Sequence, residues 1–160
     1  MEYSLTVLVP FFNEEAYLQT SLDRLLDSNI LITKIILIND GSTDNSLQIA
    51  EHYVSNHKNI DLINLDKNGG KGVALSSGLK NVSTSHVVIQ DADLEYNPKD
   101  LKNLIRKSIE DPGCLVLGSR FLGKEFRKNL YIRTYIANKF LSKLFSIVYR
   151  VKLTDIASCY

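Results

Sequence analysis

The stretch Lys34-Ile35-Ile36-Leu37-Ile38-Asn39-Asp40-Gly41-Ser42-Thr43-Asp44 carries a strand, a turn and a helix start in immediate succession. Its first half is branched-rich and of strand length, the pattern of a strand buried in a sheet. Gly41 permits a tight turn, and Asp44 is placed to cap the helix that follows. The same unit recurs on either side, with further short branched runs at Leu5 to Pro10, Ile60 to Leu65, His86 to Gln90 and Cys114 to Gly118. Between them lie Glu14 to Asp27, Asp44 to Asn56, Lys71 to Lys80 and Pro98 to Ile109, with apolar residues at helical spacing such as Leu18, Leu22, Leu25 and Leu26. Asn97 and Pro98 place a cap and a first-turn proline on the last of these helices. The order β-α-β-α-β-α-β-α-β predicts an α/β fold: an open, mainly parallel sheet with helices on both faces and ligands at the carboxyl ends of the strands.

Length and composition allow such a fold. At 160 residues the chain fits one domain, and folding at this size removes roughly two-thirds of the unfolded surface from water. With 44% hydrophobic and 23% charged residues it has the composition of a globular protein, neither disordered nor fibrous. Cys114 and Cys159 are too few for a disulfide framework and lack metal-ligand spacing, so reduced thiols and a cytoplasmic location are expected. Met1 leads straight into a strand pattern, from which no secretory leader is expected, and no apolar run reaches the ~18 residues of a membrane span. The net charge of +1 conceals an asymmetry, because Arg120 to Lys152 holds nine of the nineteen basic residues and one acid, Glu125. An acidic body beside a basic segment points to an anionic partner, a membrane surface or a phosphate rather than nucleic acid.

The unusual residues fall at strand ends. Asp91-Ala92-Asp93-Leu94-Glu95 directly follows His86 to Gln90 and crowds up to three carboxylates there. Two like charges at ~4 Å repel by a few kcal/mol in a partly shielded site unless a cation lies between them. Oxygen-only ligands favour Mg²⁺ or Mn²⁺, which would in turn hold the phosphates of a substrate; a solvated acidic turn is the alternative. The turn at Gly41 can present Asp40 to a ligand as an acceptor for base N–H groups, whereas turn chemistry alone explains Gly41, Ser42 and Asp44 but not Asp40. Asn68-Gly69-Gly70-Lys71-Gly72 opens a helix after the third strand, so that backbone N–H groups and Lys71 are candidates to face a phosphate. A plain glycine-rich turn is the alternative there, and the spacing is not that of a Walker A loop. Val9-Pro10-Phe11-Phe12-Asn13-Glu14-Glu15 ends the first strand, with Pro10 stiffening the exit and a glutamate favouring the helix start. His52, His57 and His86 share no face that would collect a metal.

The segment 131–150 reads as a basic amphipathic helix, with Ile132, Ile136, Phe140, Leu144 and Val148 spaced by four and Arg133, Lys139 and Lys143 off that row. Such a helix either lies on an anionic membrane or packs its apolar row on the sheet.

These motifs in this order resemble the inverting glycosyltransferases of the GT-A fold, glycosyltransferase family 2. Gln90-Asp91-Ala92-Asp93-Leu94-Glu95 followed by Pro98, the triplet Gly118-Ser119-Arg120 and the ending Asp155-Ile156-Ala157-Ser158-Cys159-Tyr160 are most similar to the polyprenyl-phosphate hexosyltransferases, such as dolichol-phosphate mannosyltransferase. The resemblance covers essentially the whole chain. It implies Pro10, Phe12 and Glu14 against the nucleotide, Asp40 on the base, and Asp91, Asp93 and Glu95 around a metal and the diphosphate. Arg120 and Arg133 would meet the phosphate of a lipid acceptor, and Asp155 is a candidate base or, equally, a metal-side or structural carboxylate. Asn39 stands where many relatives have a second aspartate, and Phe12 where many have tyrosine. Relatives continue past the position of Tyr160 with further amphipathic or transmembrane helices, so this chain is expected to be a truncated domain.

The expected activity is metal-dependent, inverting transfer of a hexose from a UDP- or GDP-sugar to polyprenyl phosphate at the cytoplasmic membrane face. The rivals are transfer to a sugar hydroxyl in polysaccharide synthesis and nucleotide-sugar binding without turnover. A nucleotidyltransferase is disfavoured, since no glycine-rich signature follows the first strand. The sequence leaves the oligomeric state undetermined.

Overall fold

The computed structural model describes residues 3–119 and 132–158. They gather into two compact units, Met1–Asn103 and Leu104–Tyr160.

The first unit is a four-stranded parallel sheet, β1 (Leu5–Phe11), β2 (Lys34–Asn39), β3 (Ile60–Asn64) and β4 (His86–Ile89), in the spatial order β3-β2-β1-β4. Helices α1 (Leu18–Leu26), α2 (Ser46–Asn56) and α3 (Lys71–Leu79) form the crossovers. Crossovers between parallel strands are right-handed almost without exception. The path from β1 through β2 to β3 runs one way across the sheet, which puts α1 and α2 on one face. The path from β3 to β4 runs back past β1, which puts α3 on the other. Both faces of the central strands are therefore covered, and all seven residues of β1 are buried. Such strands need no polar-apolar alternation, which is why Ile35 to Ile38 reads as a continuous apolar run.

On the α3 face, Leu8, Ile36, Ile38 and Ala74 form one cluster with Ile63, Leu65, Leu75 and Val82 packed against it. A methyl added at Gly78 would lie 2.4 Å from Ile38 Cδ1, so a glycine lets α3 approach the sheet this closely. Helix α1 buries Leu18, Leu22 and Leu25. It starts at Leu18 rather than Glu14, because the backbone from Glu14 to Tyr17 is spent on turns that tie the end of β1 to the loop after β2. Asp44 caps the next helix from two residues out, its Oδ1 accepting the Ser46 N–H at 3.0 Å. Asn97 accepts from Lys99 N at 3.1 Å and opens a 3₁₀ turn, Pro98–Asp100, ahead of α4 (Leu101–Glu110).

Residues 114–118, expected as a fifth strand, form no strand. Branched composition is a local signal, whereas a strand requires a neighbour to take its hydrogen bonds, and Leu115 is 85% exposed.

In the second unit α5 (Ile132–Tyr149) has the expected helical extent, but its polarity is reversed. Asn138 and Ser142 are buried, while Ile136, Phe140, Leu144 and Val148 are exposed. Asn138 donates to Asp155 at 2.6 Å, Ser142 accepts from Ile156 N, and Ser146 accepts from Leu153 N, folding 151–156 back along the helix's polar side. No described helix is long and apolar enough to cross a membrane.

Candidate functional site

Strand order reverses between β1 and β4, and at such a switch point the loops leaving neighbouring strands diverge to opposite faces and leave a crevice at the carboxyl edge. The ladder extends one residue past its ends, with Asp40 N–H bonded to Phe11 O and Gln90 N–H to Leu8 O, both at 2.9 Å. Those bonds fix Asp40 beside the end of β1 and Asp91 just beyond it.

The crevice is a cleft of about 230 Å³, lined by Pro10, Phe11, Phe12 and Glu14 from β1 and its loop, Asp40 from β2, Lys71 and Ala74 from α3, and Asp91, Ala92 and Asp93 after β4. Residues far apart in sequence and singled out on separate grounds are thus brought to one wall. A larger groove of about 800 Å³ runs along α1 and α2 past Asp23, His52, Tyr53 and His57, but it lies away from the strand ends and gathers no carboxylate cluster.

The cleft is held open by its own loops. Asn13, at φ 55°, donates its N–H to Ser42 Oγ at 3.0 Å and accepts the Thr43 N–H at 2.8 Å. Glu14 N–H bonds Ser46 Oγ at 2.8 Å, and the Glu15 carboxylate accepts from Asn45 N and Nδ2, both at 3.0 Å. Asn13, Glu15, Ser42 and Ser46 were not singled out by sequence as positioning groups. The one available signal is that asparagine after a strand favours the left-handed backbone region.

Gly41, at φ 71°, sits where an added methyl would come within 2.7 Å of the Asn68 amide nitrogen, so the loops after β2 and β3 meet there. Asp40, 3% exposed, accepts from Gly69 N at 2.9 Å and from Gly70 N at 2.8 Å. The two amides expected to face a phosphate are instead turned onto Asp40. Its carboxylate fixes the glycine loop, and with it the first residue of α3, Lys71. The Lys71 ammonium meets Asp91 Oδ1 at 2.5 Å.

Asp93 folds its Oδ1 onto the Glu95 N–H at 3.0 Å around Leu94, which is held at φ 63°. A left-handed leucine costs about 1–2 kcal/mol, so the turn is imposed by its surroundings. Glu95 does not line the cleft; the carboxylates that do are Glu14, Asp40, Asp91 and Asp93. The expected trio of Asp91, Asp93 and Glu95 is not assembled, and among the described residues no three His, Cys, Asp or Glu side chains form a metal cage. Glu14, from the loop after β1, lines the cleft beside Asp91 and Asp93, where Glu95 does not. Burial raises the Glu14 carboxyl above its ordinary pKa, reinforced by the charges of Asp93, Asp44 and Asp91. Two hard-oxygen carboxylates at a strand end, without a full cage, suit a cation of the Mg²⁺ or Mn²⁺ kind, which habitually takes one or two protein carboxylates and completes its shell with phosphates and water.

Of the remaining expected site residues, Arg133 is exposed in the first turn of α5 and Asp155 is buried in the second unit against Asn138. Arg120 lies outside the described residues, as does Cys159.

A parallel sheet with this strand order and an acidic cleft at its switch point belongs to the nucleotide-binding α/β class. The sequence profile of glycosyl transferase family 2 matches residues 6–159, and the chain belongs to that family. It is 34% identical over 107 residues to the uncharacterized glycosyltransferase YibD of Escherichia coli, covering 67% of this chain and 31% of the relative. Against the dolichyl-phosphate beta-glucosyltransferase ALG5D of Trichomonas vaginalis the identity is 30% over 144 residues, 82% of this chain and 43% of the relative. The solved mannosyltransferase PcManGT of Pyrobaculum calidifontis, in complex with GDP-Man and Mn²⁺, superposes with a TM-score of 0.60 at 25% identity, covering 70% of this chain and 34% of that one. The fold is the GT-A fold, and the chain spans less than half the length of these proteins.

Proposed function

We propose that the chain forms the donor-binding part of a metal-dependent glycosyltransferase that transfers a hexose from a UDP- or GDP-sugar to polyprenyl phosphate with inversion at the anomeric carbon. One observation carries this reading: Pro10, Phe12, Glu14, Asp40, Lys71, Asp91 and Asp93 line a single cleft at the switch point of the sheet. Pro10 and the half-exposed ring of Phe12 form the wall for the nucleotide, and Asp40 supports it through the glycine loop. Asp91 and Asp93 would hold Mg²⁺ or Mn²⁺, which when bound supplies Lewis-acid stabilisation of the charge on the departing diphosphate. Lys71 would meet the phosphates. An acceptor phosphate oxygen forms the new bond to the anomeric carbon as the bond to the nucleoside diphosphate breaks.

A phosphate monoester with its second pKa at ~6 is largely dianionic at neutral pH, so the acceptor needs positioning more than deprotonation. Arg133 and Arg120 are the proposed positioning cations, and Asp155 the candidate base. An unchanged rate in Asp155→Asn would remove it from that role. The exposed row Ile136, Phe140, Leu144 and Val148, flanked by Arg133, Lys139 and Lys143, supports a place at the cytoplasmic face of an anionic membrane, where a lipid phosphate is presented.

The reading is tested by thermal shift with UDP- and GDP-sugars and Mn²⁺ or Mg²⁺, since a ligand at ~100 times its dissociation constant adds about 2.7 kcal/mol. Absence of any nucleotide- and metal-dependent shift would overturn it. Radiolabelled sugar entering an organic-extractable product identifies the lipid acceptor, a water-soluble product identifies a hydroxyl acceptor, and binding without turnover identifies a donor-binding module.

A further inference from the structure

Four carboxylates line the cleft, and among its described lining residues Lys71 is the one cation. Its ammonium lies 2.5 Å from Asp91 Oδ1, with the lysine side chain 51% and the aspartate 19% exposed. The position is built rather than incidental. Lys71 is the first residue of α3, and the two preceding amides, of Gly69 and Gly70, are both fixed on the buried Asp40 carboxylate. Gly70 holds φ at 85°, which sets the direction in which the helix and its first side chain leave the loop. A long flexible amine on an anchored base thus ends against the very carboxylate proposed as a metal ligand.

We propose that Lys71 is a tethered counter-ion that occupies Asp91 in the ligand-free protein, and that a diphosphate draws it off and so admits the divalent cation. This deepens the functional reading above and rests on its metal assignment. A free cation arriving alone must displace an ammonium already paired with Asp91, in a cleft where, among the described residues, no third carboxylate completes a cage. A nucleoside diphosphate changes both terms at once: its oxygens offer the ammonium a new partner and supply the ligands the protein lacks. Metal and diphosphate then load together, because each removes an obstacle to the other. Lys71 also partly neutralises the acidic cleft in the ligand-free protein.

The test is Mn²⁺ binding to the protein without nucleotide, read from the loss of the free-ion paramagnetic resonance signal, in wild type, Lys71→Met and Lys71→Arg. Removal of the tethered charge is expected to tighten nucleotide-free Mn²⁺ binding by roughly tenfold in Lys71→Met, equivalent to about 1.4 kcal/mol. Lys71→Arg keeps the charge and is expected to keep the weak affinity. UDP or GDP, whichever shifts the wild type, should then strengthen Mn²⁺ binding by a smaller factor in Lys71→Met than in wild type. Thermal unfolding of all three proteins verifies that each is folded. Unchanged nucleotide-free Mn²⁺ affinity in Lys71→Met, with Mn²⁺ still binding in the presence of nucleotide, would overturn the tethered counter-ion and leave the metal site standing. No Mn²⁺ binding by any of the three, with or without nucleotide, would overturn both.

Discussion

In the first unit apolar rows point inward and charge collects at one edge, while in α5 the inward residues are Asn138 and Ser142 and the outward ones Ile136, Phe140, Leu144 and Val148. Both segments carry apolar residues at regular spacing. The difference lies in what each has to pack against. β1 and β2 have neighbours on both sides and helices on both faces, so every aliphatic side chain finds a buried place. In α5 the neighbour is the segment 151–156, whose buried Asp155 selects the polar side of the helix through Asn138. Periodicity says that a helix has two faces; the partner decides which face is inside.

The comparison can be broken or sharpened by substitution. The largest effect is expected at the charged edge: Asp93→Ala should lower sugar transfer by two orders of magnitude or more, since metal stabilisation of a leaving group is worth several kcal/mol, about 1.4 kcal/mol for each tenfold. Steady-state turnover with saturating nucleotide sugar checks it, and full activity would remove the metal assignment. In the apolar interior, Leu22→Ala on α1 empties a fully buried site and should cost about 2–5 kcal/mol in denaturant unfolding.

On α5 the same chemistry should do the opposite. Phe140→Ser alters a side chain that is 67% exposed and should change stability by no more than about 0.5 kcal/mol, while weakening sedimentation with anionic vesicles. A destabilisation like that of Leu22→Ala would show that the row is covered in solution.

The smallest effect is expected at Glu14. Its carboxyl pKa is raised in the folded chain, first by burial and then by Asp93, Asp44 and Asp91. A raised folded-state value means that its favourable contribution is complete below the unfolded pKa and is lost as pH rises through the folded one. Glu14→Gln should therefore raise the melting temperature at pH 7 by a few degrees at most and leave it nearly unchanged in acid below the ordinary glutamate range. Metal should narrow the difference by neutralising the same carboxylates.

Strand positions were legible because a doubly covered parallel strand writes itself as an unbroken branched run, and β1 to β4 fall within a residue or two of their expected places. The run 114–118 carries the same signature and forms no strand, because composition reports fitness for a sheet and not the presence of a partner. In the site, carboxylates directly after a strand were legible for a similar local reason. Adjacency and the family resemblance both group Glu95 with Asp91 and Asp93, but the turn through left-handed Leu94 leaves it outside the cleft lining. Glu14 enters the cleft lining from a loop some eighty residues away in sequence, its backbone N–H bonded to Ser46 Oγ. Asp40 was expected to meet a ligand directly, yet both its oxygens hold the Gly69 and Gly70 amides.

The sequence by itself determined the alternation of strands and helices, the membership in a glycosyltransferase family and the acidic strand end, because each is written in residues close along the chain. Tertiary structure alone decided which carboxylates share a cleft, that Lys71 lies on Asp91, and that α5 turns its apolar row outward. Those outcomes depend on through-space pairing between segments distant in sequence, where the free energy of a side chain is set by its neighbours rather than by its own type.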